Sequence, residues 1–188
     1  MTPTRTPARQ AGASLIEVLI AMLLLSFGML SLGAMLSFAV QMPKLSGYRA
    51  MAVNLASSHI ERIRANPDGF SNGSYDKTSS YDNTSTSLVM DPSNICAYPN
   101  CDFASLATMD FEQTKVAVRA QLPAGGIFML RDNHSGIIST TDGNLWIVWQ
   151  EPDSHAAFDA STSDNCPAEV TQAYASPKPR CLYVRFKI

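Results

Sequence analysis

The stretch RQAGASLIEVLIAMLLLSFGML, Arg9 to Leu30, places a single acid, Glu17, at the head of a long apolar run. From Val18 to Val40 no residue is charged. That run of about 23 positions forms a helix of roughly 35 Å at 1.5 Å per residue, enough to cross the hydrocarbon of a bilayer. Residues 1–12 hold Arg5 and Arg9 and no acid, a basic flank that predicts a cytoplasmic N-terminus and an exported remainder. A secretory signal peptide has a shorter apolar core, about 7–15 residues, followed by a small-residue cleavage site. A plain membrane anchor explains the length and the flank but leaves Glu17 without a purpose. A carboxylate at the centre of a membrane helix costs roughly 2.5–3.5 kcal/mol, less near the interface, and its presence points to function.

The rest of the chain narrows the class. It has 188 residues, a formal net charge of −2 and 46% hydrophobic residues. With no stripe of Lys and Arg to neutralise phosphates, direct nucleic-acid binding is not predicted. Nor is the chain polar enough for general disorder. No G-x-S-x-G, P-loop, H-E-x-x-H or dinucleotide fingerprint occurs, so no enzymatic activity and no cofactor is predicted. The four cysteines, Cys96, Cys101, Cys166 and Cys181, all follow the apolar run. In an exported domain they read as two disulfides with three connectivities, of which local pairing, 96–101 and 166–181, is the simplest. The C-x₄-C spacing and the scattered His59, His134 and His155 argue against a metal site.

Gly12-Ala13-Ser14-Leu15-Ile16-Glu17 resembles the type III signal of type IV pilins and pseudopilins. Four features coincide there: a basic leader, Gly12 at its end, Glu17 five residues into the mature chain, and the apolar run. The resemblance implies a prepilin peptidase that cuts between Gly12 and Ala13 and an N-methylated mature residue. The family's usual first residue is Phe, whereas here it is Ala13. It also implies that Glu17 meets the N-terminal amine of a neighbouring subunit in a fibre. An unpaired charge in an apolar bundle is penalised and a paired one tolerated, so Glu17 would set register between subunits.

Beyond Pro43 the helical spacing continues, with Leu45, Tyr48, Ala52, Leu55, His59 and Ile63 on one stripe. The pattern predicts one helix from about Ser14 to Arg64, apolar then amphipathic, kinked at Pro43 and stopped by Asn66-Pro67-Asp68-Gly69. Gly28 and Gly33 weaken its apolar half and allow close helix approach. On that stripe His59 reads as structural rather than catalytic. Residues 68–95 read as a Ser/Thr/Asn/Asp-rich loop with few core residues and a short strand over Ser87–Met90. SLATMDFEQTKVAVRAQLP has an ambiguous period, and its entry and exit favour a helix presenting Leu106, Met109, Gln113, Val116 and Ala120. GIFMLRD, LWIVWQE and CLYVRFKI read as strands, with STTDGN as the turn before the second. The expected fold class is α+β, of type IV pilin kind: a long N-terminal helix on a small antiparallel sheet, rich in loops. The expected organisation is a leader over 1–12, a membrane and fibre-core helix half over 13–42, and a soluble domain over 43–188.

LPAGG and LWIVWQEP look like the PilV-type minor pilins, also called type IV pilus modification proteins. That resemblance implies a structural protein that enters or primes a type IV pilus, serving motility, adhesion or DNA uptake. Its implied partners are the prepilin peptidase, other minor and major pilins, and the inner-membrane assembly machinery. Two readings compete: a minor pseudopilin of a type II secretion system, and a membrane-anchored module whose polar loop binds glycans.

Overall fold

The computed structural model describes residues 14–97, 99–151, 164–174 and 178–188. Helix α1 spans Leu15–Ala65 without interruption at Pro43. The chain divides at Lys44/Leu45 into two compact units.

The unit from Leu45 onward has a core of its own. Of the stripe read from the sequence, Ala52, Leu55, His59 and Ile63 are buried, joined by Ala56 and Ile60, whereas Leu45 and Tyr48 are half-buried. Asn66 then ends α1 and caps the short helix α2, Pro67–Ser71. Its side-chain oxygen accepts from Gly69 N–H at 3.2 Å, and its amide donates to the Phe103 carbonyl at 2.8 Å. The expected stop is thus a corner, because Pro67 cannot continue the α1 hydrogen bonding but suits the first position of a new helix. A 3₁₀ turn at Pro92–Asn94 precedes α3, Phe103–Gln121, which Asp102 caps through Ser105 N–H at 2.7 Å.

Strands β1 (Gly126–His134), β2 (Ile137–Trp149) and β3 (Arg180–Lys187) form an antiparallel sheet in the order β1-β2-β3. A short helix α4, Ala168–Ala173, precedes β3. Alternation sends Ile127, Met129, Leu145, Ile147, Trp149 and Phe186 into one core with the α1 stripe and Ala107, Phe111 and Val118 of α3. The opposite face carries a row of stacked rings, Phe128, Trp146 and Tyr183, with centroids 5.3 and 5.1 Å apart. A smaller cluster beside it gathers Tyr81, Ala124, Val148, Val170 and Cys181.

Three sequence expectations change. The β1–β2 turn is Ser135-Gly136, not STTDGN: both residues have positive φ, 53° and 86°, as a two-residue hairpin requires. The TDG signal lies inside β2, where register passes from Arg131↔Gly143 to Asn133↔Ile138 and leaves 139–142 as a bulge. There the Ser139 hydroxyl oxygen accepts from Thr141 N–H and Asp142 N–H. Gly143 is required at the end of that bulge, since a Cβ would lie 2.6 Å from the Phe186 ring.

The face of α3 also differs. Ala107, Asp110, Phe111, Thr114 and Val118 are buried, whereas Leu106, Met109, Gln113 and Val116 are half-buried and Ala120 is exposed. Polar residues occupy the inner face because they meet partners there. Asp110 accepts from Tyr75 O–H at 2.6 Å and from Arg62 at 3.3 Å, and Arg62 also donates to Gln113. The Thr114 hydroxyl donates to the Asp110 carbonyl, so it accepts from His59 Nδ1–H at 2.8 Å, which leaves Nε2 as the bare nitrogen.

The polar loop after α2 is the third change. It contributes Tyr75 and Tyr81 to the interior, and Ser87–Met90 forms no strand. Its backbone instead covers the outer edge of β1, with Lys77 N–H to Met129 O at 3.1 Å and Ser80 N–H to Ile127 O at 3.0 Å. Buried Arg119 holds the next turn of chain. It donates to the carbonyls of Gly125 (2.8 Å), Ser80 and Thr86 (both 3.4 Å), to the Thr84 hydroxyl (2.9 Å) and to the Asp82 carboxylate (2.7 Å). Two disulfides, Cys96–Cys101 and Cys166–Cys181, close the loop before α3 and tie the segment before α4 to β3.

Burial, helped by the Arg62 charge, lowers the His59 pKa to about 3. Above the unfolded value near 6.5 both states are neutral and the group has no effect. Below it the unfolded chain takes a proton that the folded chain refuses until about pH 3. Stability therefore falls with pH across that window, by up to about 1.4 kcal/mol per pH unit from this residue. Urea melts in detergent at pH 7, 5.5 and 4.5 should show His59→Gln losing stability less steeply than the unaltered chain. Arg119→Met should cost on the order of 3 kcal/mol, because it removes five hydrogen bonds and leaves the carbonyl of buried Gly125 unserved. Limited proteolysis should then cut within residues 80–86 and should spare them in the unaltered chain.

Candidate functional site: the apolar half of α1 and its acidic first turn

Ser14 immediately precedes α1, and its carbonyl accepts from Glu17 N–H at 2.9 Å and Val18 N–H at 3.3 Å. Ser14-Leu15-Ile16-Glu17 has the S-x-x-E spacing of a helix start, a signal that a reading centred on the apolar run passes over. Glu17 sits in the first turn, where the positive end of the helix dipole favours an acid. No described residue forms an ion pair or hydrogen bond with its carboxylate, and the side chain is exposed. Gly12 and Ala13 lie outside the described residues.

Every residue of α1 from Leu15 to Val40 is exposed. Its bulky apolar residues include Leu15 at 80% exposure, Leu30 at 71% and Met35 at 75%. The mean hydropathy of its most apolar 18-residue window is 2.4. Polar groups within it are internally satisfied: Ser26 O–H donates to Met22 O and Ser31 O–H to Gly28 O, each at 2.8 Å. A helix of this kind leaves no backbone group wanting water along its interior, and so can lie in lipid or in a bundle of like helices. A Cβ on Gly28 or Gly33 would meet nothing within 4 Å. Within one chain, then, neither glycine is required by packing, and an exposed helix would gain about 1 kcal/mol from alanine at either position.

The groups that could carry chemistry elsewhere are engaged in structure. Asp110, Thr114, Tyr75 and His59 form the buried network described above, and Arg131 is fixed by Asp76, with Nε to Oδ2 at 2.8 Å. Burial and the Asp110 carboxylate push the Tyr75 hydroxyl well above its usual pKa, which keeps it a donor. At Asp82, burial acts upward, but the Thr84 bonds and Arg119 outweigh it and hold the carboxyl below its usual range. Among the described residues no three His, Cys, Asp or Glu side chains gather as a metal site. The acid that stands without a partner in an apolar setting is Glu17.

Residues 7–33 match the prokaryotic N-terminal methylation motif, which spans Gly12, Ala13 and Glu17. Residues 34–112 match the Tt1218-like family, described as type IV pilin Tt1218, and run from the apolar half of α1 through the polar loop into α3. No curated protein and no solved structure matches the chain. The two matches abut at residues 33 and 34 and cover the exposed apolar helix half, its acidic first turn and the amphipathic half that roots in the sheet domain. Together the two matches support a type IV pilin.

Proposed function

We propose that this chain is a minor pilin, made as an inner-membrane precursor and then built into a type IV pilus. A prepilin peptidase would cut between Gly12 and Ala13, and Ala13 would become the methylated first residue. The observation that carries the reading is Glu17: an exposed carboxylate with no partner among the described residues, at the head of a helix half without charge from Val18 to Val40. A neighbouring subunit's N-terminal amine would supply the missing charge and fix the register of the two helices. Residues 13–42 would then lie in the fibre core and 43–188 on its surface, beside other minor and major pilins. Before assembly the same helix half holds the precursor in the membrane, with the basic leader in the cytoplasm and the domain in the periplasm. Two disulfides suit that oxidising compartment. The role is structural and needs no cofactor. The matched family's description as a pilin supports a pilus over the piston of a secretion system.

Pili sheared from cells should contain a chain whose first residue is Ala13, read by N-terminal sequencing; a chain beginning at Met1 or beyond residue 40 would overturn the proposal. Glu17→Ala should be processed at the same site and accumulate in the inner membrane, with its amount in sheared pili reduced about tenfold or more. Equal incorporation of this variant would remove the case for a register-setting ion pair.

A further inference from the structure

We infer that the outer edge of β3 receives residues 87–90 of a second copy of this chain as a fourth strand. The phase of the ladder identifies the free groups. Ile188 N–H donates to Thr141 O at 2.9 Å, and the β2–β3 register continues without a shift to Trp149↔Arg180. Hydrogen-bonded pairs recur at every second residue of an antiparallel ladder, so Leu182, Val184 and Phe186 bond inward to β2. Cys181, Tyr183 and Arg185 then aim their N–H and C=O groups off the sheet, and none of these groups has a hydrogen-bond partner among the described residues. The β1 edge ends differently. Ile127 O and Met129 O accept from Ser80 N–H and Lys77 N–H, Ile127 N–H donates to the Ser80 hydroxyl, and Arg131 N–H donates to Asp76. One edge is closed by its own loop; the other is a template for an extended backbone. Its core side is unfinished too, since Leu182 and Val184 pack against the core yet are half-buried.

Residues 87–90 suit that template. Their sequence favours a strand, yet they form none, and they make no hydrogen bond among the described residues. Val89 is 89% exposed. In a strand Leu88 and Met90 share one face, able to cover Leu182 and Val184, and Val89 takes the other, beside Tyr183. Within its own chain the segment is tied to the β1 side: Arg119 holds Thr86 O, and Asp91 caps the turn leading to α3, which packs against β1. Charge favours a second copy as the occupant. Residues 178–187 carry four bases and no acid, whereas residues 82–91 carry two acids and no base. The contact is heterologous: each copy keeps a free edge on one side and a free segment on the other, so copies can follow one another in a row.

The test uses the purified full chain in detergent micelles, with photoreactive benzoylphenylalanine in place of Val89, mixed with ¹⁵N-labelled chain to tell contacts between copies from contacts within one. After irradiation, mass spectrometry should find position 89 joined to residues 181–187 of the other isotope. Leu88→Pro, in an exposed segment without hydrogen bonds, removes an N–H from the added strand. Arg185→Pro removes one from the open edge and leaves the β2 ladder intact. Each should lower the cross-link about tenfold, with the unfolding curve of Leu88→Pro lying on that of the unaltered chain. Mixing the photoreactive Arg185→Pro chain with labelled Leu88→Pro chain should restore the cross-link, because an intact segment then meets an intact edge. No cross-link between copies, cross-links to another surface only, full yield from Leu88→Pro, or no recovery in the mixture would overturn the inference. The contact is read between purified copies, so its failure leaves the minor-pilin reading, which is tested by entry into pili, where it stands.

Discussion

One helix has to satisfy two solvents. From Leu15 to Val40 α1 exposes apolar side chains all round, and from Leu45 to Ala65 it buries a single stripe in a protein core. Only an α-helix allows this on one uninterrupted backbone, because its hydrogen bonds close within the segment whatever surrounds it. Pro43 falls beside the change of pattern at Lys44, and the helix continues through it. Everything in the second unit follows from the narrow stripe: a sheet and a second helix must cover it, and the chain must turn sharply at Asn66 to bring them there.

That corner is held by polar contacts more than by oil. Asn66 links the end of α1 to the start of α3, while Tyr75, Asp110 and Arg62 join the polar loop, α3 and α1. Each contact lies where an unpaired group would cost about 1–3 kcal/mol, so the network penalises alternative packings as much as it stabilises this one. His59 shows the limit of that arrangement. Its Nδ1 is served by Thr114, its Nε2 has no partner, and the ring stays neutral far below its ordinary pKa.

The long helix, its stripe and the α+β class were legible because hydrophobic periodicity is strong where one face alone is buried. The same rule misplaced the inner face of α3. Counting apolar residues favours Leu106, Met109 and Val116, but Asp110 and Thr114 are buried because Tyr75 and His59 lie opposite them, more than thirty positions away in sequence. STTDGN and HSG both hold residues that suit positive φ, and only pairing across the sheet decides which of them reverses the chain. Tyr75 and Tyr81 were hidden by Ser, Asn and Asp neighbours, whose polarity describes the exposed side of a segment that also covers a strand edge. Glu17 was legible because an acid beside a run of lipid-like residues has no ordinary structural use. That it has no partner among the described residues needed the structure.

The clamp at Arg119 has an evolutionary consequence. Three of its five acceptors, at Gly125, Ser80 and Thr86, are main-chain carbonyls, which every amino acid supplies. The turn it holds can therefore exchange most of its side chains while keeping its path, provided the arginine stays. A segment fixed by its backbone and free in its outward chemistry can change those side chains without unsettling the domain beneath it.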